Sequence, residues 1–322
     1  MKKITIVLLA LLTLLFAFVS CNEDLDAVFE NQQPAPAPEP EPVDYSKVPL
    51  TLEFGEVGEG AKITVSYDNE PVSFYYTING ATPKLPASGN EINVNSNDKI
   101  SIYAVRDGSH GVNFKISCNA ACNLCDVYGN IMSLIAGEDY ADATVIGFTY
   151  AFSSLFNANT HIKSAENLIL PATTLSNYCY FEMFDGCTSL TTAPVLPATT
   201  LAQGCYEKMF YGCSKLTTAP ELPATTLAQY CYYNMFRDCT SLTTAPELPA
   251  TSLAKECYYY MFFGCTSLNS ITCLATDISA LNCTIDWVYG VSATGTFTKA
   301  ASMTSWTTGN NGIPSGWTVF PQ

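Results

Sequence analysis

Histidine is close to absent from this chain: His110 and His161 are the only two in 322 residues. Neither lies in a recognisable nucleophile or metal-ligand motif, so histidine-based catalysis has nothing to start from. Basic residues are also scarce, 14 Lys and Arg against 29 Asp and Glu, for a net charge of −15. Removing Lys2 and Lys3 with a leader takes that value to −17, that is, −15 less two. Phosphate binding needs clustered cations, so nucleic acid is not expected as a partner. The same charge keeps the protein soluble beside an anionic cell surface without drawing it there. Charged residues of both signs make up only 13%. The acidic pair Glu138 and Asp139 sits in loop-like sequence without companions. A glycosidase needs two carboxylates facing one cleft, and the repeats described next supply no such pair. The expectation is a protein that is not an enzyme and uses no cofactor.

What the chain has in abundance is repetition. CYFEMFDGCTSLTTAPVLPATTLAQG from Cys179 is followed by close copies from Cys205 and Cys231 and a partial copy from Cys257, a period of 26 residues. Such a period is the signature of stacked repeats. At 100° per residue, Leu175, Cys179, Tyr180, Met183, Phe184 and Cys187 fall on one half of a wheel, which predicts an amphipathic helix. Thr173 or Thr174 would cap its start and Gly186, Gly212 and Gly264 its ends. Burying about six apolar side chains contributes on the order of 10 kcal/mol, while ordering the backbone costs roughly 1–2 kcal/mol per residue. One repeat alone cannot be stable. Stacked repeats also bury Leu190, Leu196 and their equivalents, and become cooperative.

The chain holds 14 cysteines, and eight of them lie on the buried half of the predicted helices. A pair eight residues apart would be separated by about 12 Å along a helix, too far for a disulfide. The expectation is ladders of buried free thiols. Cys118, Cys122 and Cys125 form a C-x3-C-x2-C cluster whose spacing resembles that of radical-SAM enzymes. No clear fourth ligand and no barrel follow it, so these residues read as small buried side chains, not a metal site.

In chain order, Lys2 and Lys3 and the apolar run Ile4 to Val19 read as a signal peptide over 1–20. Phe18, Val19, Ser20 and Cys21 resemble a lipobox, making Cys21 the expected lipidated residue. The acidic stretch after it resembles export signals of Bacteroidota surface lipoproteins. Residues 21–49, with PAPAPEPEP, read as a tether. Over 50–126 the period becomes two: Leu50–Phe54, Ala61–Tyr67, Ser73–Ile78, Glu91–Val94, Lys99–Val105 and Phe114–Cys118 predict six strands of a small all-β sandwich. FYYTINGATP and KISIYAVRDG resemble the Ig-like domain appended to chitobiases. Residues 127–290 are read as a capping helix (VYGNIMSLI) and the repeats, and 291–322 as short strands forming a C-terminal cap.

The pattern CYxxMFxGCTSLTTAPxLPATTLA, from Leu155 to Leu281, resembles BspA-like leucine-rich repeat proteins of Bacteroides-type bacteria. That resemblance implies an α/β leucine-rich-repeat solenoid with a short strand plus a helix per 26-residue repeat. It also implies an outer-membrane lipoprotein exposed at the cell surface, held to the membrane by its lipid alone, that binds or adheres to a host protein or glycan. The proline of LTTAPxLP departs from the family's strand and predicts short strands.

Positions that vary between repeats fall opposite the core stripe. They hold Tyr178, Phe181, Tyr211, Tyr230, Tyr233, Arg237, Tyr259, Tyr260 and Phe263, an aromatic set suited to a partner surface or to sugar rings. This is the first candidate contact face. The second is the threonine array Thr192, Thr218 and Thr244 with Glu221 and Glu247 beside it. The alternative function is a structural component of the outer envelope without a diffusible ligand.

Overall fold

The computed structural model describes residues 42–67, 74–85, 90–104 and 114–322. The expected leader 1–20, Cys21, most of the tether, and His110 lie outside them. From Asp44 to Gln322 the chain is one compact unit. Among the described residues no helix is long and apolar enough to cross a membrane.

Alternating apolar residues give six strands before residue 120: β1 (Thr51–Phe54), β2 (Lys62–Tyr67), β3 (Phe74–Ile78), β4 (Glu91–Asn93), β5 (Lys99–Ala104) and β6 (Phe114–Cys118). A seventh, β7, runs over Cys125–Asn130. The sheet β4-β2-β6 is antiparallel, and β3-β5-β1-β7 continues through parallel pairings to β8 (Ile162–Ser164) and β9 (Leu168–Ile169). Leu52 lies opposite Ile100 and Val127, and Val65 opposite Ile116, and all five are buried. The two sheets therefore bury one alternating set of side chains.

The stretch read as a capping helix does not form one. Val127 to Asn130 belong to β7, and Ile131–Leu134 make a single 3-10 turn. Gly129 explains part of this: its φ is +86°, and a Cβ there would stand 2.1 Å from the Pro49 carbonyl oxygen. Only glycine allows that approach. Asn130, fully buried, then bonds the carbonyls of Ser46 and Tyr140 at 3.1 and 3.2 Å and accepts from Met132 N–H.

The repeats depart further from expectation. They contain no helix, and a leucine-rich-repeat solenoid with one helix per repeat is not the fold. Each copy is a coil of successive tight turns. Cys179, Phe181, Met183, Asp185 and Cys187 donate N–H bonds to the carbonyl three residues back, at 3.0–3.3 Å. The intervening Tyr178, Tyr180, Glu182, Phe184 and Gly186 donate to Gln203, Cys205, Glu207, Met209 and Tyr211 of the next coil, at 2.8–3.0 Å. Tyr178, Glu182 and Gly186 have φ of 55°, 54° and 72°, the left-handed value that the third position of a type II turn requires. Half of the backbone donors are thus spent between coils, whereas a helix would spend them within itself.

Inside the stack like lies on like. Tyr180, Tyr206, Tyr232 and Tyr258 form one buried column with ring centroids 5.7–6.1 Å apart. Phe184, Phe210, Phe236 and Phe262 form another at 5.6–5.8 Å. Leu190 and Leu196 are buried beside them. The repeat cysteines are free thiols. Cys187, Cys213, Cys239 and Cys265 each donate Sγ–H to a carbonyl of the coil before, at 2.9–3.1 Å. Burial pushes these thiols well above their ordinary pKa.

Beyond the last coil, β10 (Ser270–Cys273), β11 (Thr296–Lys299) and β12 (Thr318–Pro321) form a parallel sheet. Trp287 takes the methionine position in the core, stacks on Tyr258 and Trp306 at 6.0 and 5.7 Å, and donates Nε1–H to Gly312 at 2.9 Å.

Candidate functional site

Each tight turn turns two residues inward and two outward. Cys179, Tyr180, Met183 and Phe184 are buried, while Phe181, Glu182, Asp185 and Gly186 are half-buried on the outside. The coils are in register, so the outer positions also form columns. Tyr178, Phe181, Tyr211, Tyr230, Tyr233, Arg237, Tyr259 and Tyr260 are all half-buried, neither interior nor freely projecting.

The structure brings them into one aromatic strip. Tyr233 stacks on Tyr259 at 4.8 Å and meets Tyr230 edge-on at 5.9 Å. Tyr259 meets Tyr260 at 4.4 Å, and Tyr260 meets Phe263 at 5.2 Å. The Arg237 guanidinium lies over Phe263, Tyr260 and Tyr211 at 4.5, 5.3 and 5.5 Å. A second group joins Tyr178 to Phe181 at 6.2 Å and stacks Tyr178 on Tyr150 at 5.0 Å. Tyr178 lies across Gly204, where a Cβ would come within 2.3 Å of its ring, and its hydroxyl accepts from Gln203 at 2.8 Å.

Tyr150, Tyr289, Lys208, Lys255 and Glu207 belong to this strip and were missed by sequence reasoning. Tyr289 is one 26-residue step past Phe263, a signal that was legible. Tyr150 precedes Tyr178 by 28, because the first coil is longer, and period alone does not find it. Phe263 and Tyr289 stack at 4.8 Å.

Three cations sit on this strip, each over a ring and beside a carboxylate. Lys208 pairs with Glu182 at 2.9 Å and lies 5.3 Å from the Phe181 centroid. Lys255 is 3.8 Å from Glu256 and 5.5 Å from Tyr230. Arg237 is 3.5 Å from Asp238. Two further carboxylates, Asp185 and Glu207, have no hydrogen bond or ion pair among the described residues. Burial first, then repulsion from Glu182, raises Asp185 to about 6 against the pull of Lys208 and Lys115. Burial raises Glu207 to about 7, with Lys208 opposing and Glu182 and Glu256 adding to the shift. Burial also raises Tyr233, helped by the charges of Glu207 and Glu256.

The second candidate forms a separate column. Ser164, Thr192, Thr218, Thr244 and Ser270 pair in sequence through parallel bridges. Thr218 and Thr244 are exposed, Thr192 is half-buried, and Glu221 and Glu247 are exposed. Among the described residues no ion pair or ring contact falls on this column, which is a regular hydroxyl surface.

Among the described residues no group of three His, Cys, Asp or Glu is arranged to hold a metal. In the cysteine cluster, Cys122 donates Sγ–H to the Lys62 carbonyl at 3.2 Å, and Cys118 accepts from Asn159 at 3.5 Å. No protein-family profile, curated protein or solved structure matches the chain.

Proposed function

We propose that this is a non-catalytic recognition protein, anchored at a bacterial surface through lipid on Cys21, whose aromatic strip contacts a host protein or glycan. The observation that carries the reading is the strip itself: rings from successive coils, half-buried and in register, with cations interleaved. Half-exposed tyrosines give large contact area at low entropic cost and retain a polar handle. A column of such rings favours a partner that is itself extended.

The test is to screen the protein on glycan arrays and against host matrix proteins beside the Tyr233→Ser/Tyr259→Ser double variant. The expected result is a hit that the double variant weakens at least about ten-fold, since central aromatic anchors contribute about 2 kcal/mol or more. A hit that the variant leaves unchanged would remove this face. Silence across both screens would favour an envelope-structural role. Anchoring is tested separately: labelled fatty acid should enter the wild-type protein and fail to enter Cys21→Ser, and equal labelling would reject Cys21.

A further inference from the structure

On the aromatic strip the chain displays the same three-part arrangement three times: a ring, a carboxylate and a cation. Lys208 has Phe181 and Glu182, Lys255 has Tyr230 and Glu256, and Arg237 has Phe263 and Asp238. The combination is favourable because the ring face and the carboxylate both attract the cation, and where the pair is half-buried, as Lys208 and Glu182 are, screening is reduced as well. Glu207 meets two of the three conditions. It stands one coil from Phe181 on one side and from Tyr233 on the other, as the backbone bonds Glu182 N–H to Glu207 and Lys208 N–H to Tyr233 require. Its charge reaches both Tyr150 and Tyr233. The two ring groups, Tyr150 with Tyr178 and Phe181, and Tyr230 with Tyr233 and Tyr259, therefore bracket it. No described side chain ion-pairs with Glu207.

We infer that Glu207 and the two bracketing ring groups form a site for a lysine side chain presented by a basic segment of a partner protein. The inference rests on the proposed recognition face and names the chemistry it selects. Charge supports the occupant: the chain carries −15, so a basic segment is steered towards it. Lysine is favoured because it fills two of the three arrangements the chain builds for itself. An ammonium bound at Glu207 would also relieve the cost of keeping that carboxylate ionised.

The experiment titrates the full-length protein with a lysine tetrapeptide, with the same peptide acetylated at every side-chain amine, and with a chitosan tetramer. The lysine peptide should bind about five- to ten-fold tighter than the acetylated one, and Glu207→Gln should abolish that difference. Because Glu207 must be ionised, lysine-peptide affinity should rise between about pH 6 and about pH 8. Lys208, Glu182 and Glu256 are the charged groups that face it. The slope should therefore persist in Asp185→Asn and vanish in Glu207→Gln.

Equal binding of the two peptides, or unchanged lysine-peptide affinity in Glu207→Gln, would overturn the inference. Chitosan binding as tightly as the lysine peptide would overturn the protein source in favour of an amino sugar. If the peptides bind alike and Tyr233→Ser/Tyr259→Ser weakens both, the recognition face stands and its charge selectivity falls. If neither that variant nor Glu207→Gln changes affinity, both fall together.

Discussion

Two residues on the strip, Asp185 and Glu207, carry an electrostatic cost that stability measurements can read. Their carboxyls titrate at about 6 and about 7 in the folded chain, against ordinary values of 3.8 and 4.5. Between the ordinary and folded values the folded state holds protons that the unfolded state has already lost. Their contribution to stability is therefore full below about pH 4 and declines as pH rises through about 7. Asp185→Asn combined with Glu207→Gln should flatten the dependence of the urea midpoint on pH across that window, and raise the midpoint relative to wild type at the alkaline end. A slope unchanged by the double substitution would show that other groups set it. A half-buried carboxylate with no ion pair among the described residues, at a standing cost to the fold, is also what distinguishes Glu207 from Glu221 and Glu247, which are exposed.

At the scale of the element, the coil is held by a trade. Non-glycine residues in the left-handed region, such as Tyr178, Glu182, Tyr230 and Asn234, each cost on the order of 1 kcal/mol. Each hydrogen bond to the next coil returns a similar amount, about 1 kcal/mol, and the buried columns supply the surplus. The same trade explains why the strands were legible and the coil was not. Leu52, Phe54, Ile63, Val65, Ile100 and Ile102 alternate with outward residues, and period two has one structural meaning. In the repeat, Cys179, Met183 and Cys187 recur every fourth residue, as do Tyr180 and Phe184. On a helix that spacing drifts only 40° per step at 100° per residue, so across one short motif it cannot be told from a turn that repeats every four residues. The distinguishing signal was glycine: Gly186, Gly212 and Gly264, read as helix ends, instead mark left-handed corners along the coil, as does Gly204. The aromatic strip was legible regardless, because inward and outward positions are the same in both geometries. Its ion pairs were not read, although Lys208 stands one 26-residue step from Glu182, because a helix was expected to spend its backbone bonds within itself and so hid which side chains successive coils set together.

For the whole molecule, the stack behaves as a nearly one-dimensional object in which each coil touches its neighbours alone, so its length is adjustable in units of one coil. Cutting out residues 205–230 and joining Gly204 to Cys231 removes one period of 26. Every column then closes on its own kind, Cys179 on Cys231, Tyr180 on Tyr232, Phe184 on Phe236, and the bonds between coils find equivalent carbonyls. The shortened protein should unfold in one cooperative transition, with a smaller urea m-value in proportion to the surface lost and a lower midpoint. Removing only 205–217 from the same place shifts every column out of register, sets outward residues such as Thr218 against inward ones such as Cys179, and should leave no cooperative transition. The in-register excision also deletes Glu207, Lys208, Tyr211 and Tyr230 while keeping Tyr233, Tyr259, Tyr260 and Arg237. A folded, shortened chain that still distinguished the lysine peptide from its acetylated form would place the cation site elsewhere on the strip. Loss of that distinction with the fold intact would tie it to the coil that was removed.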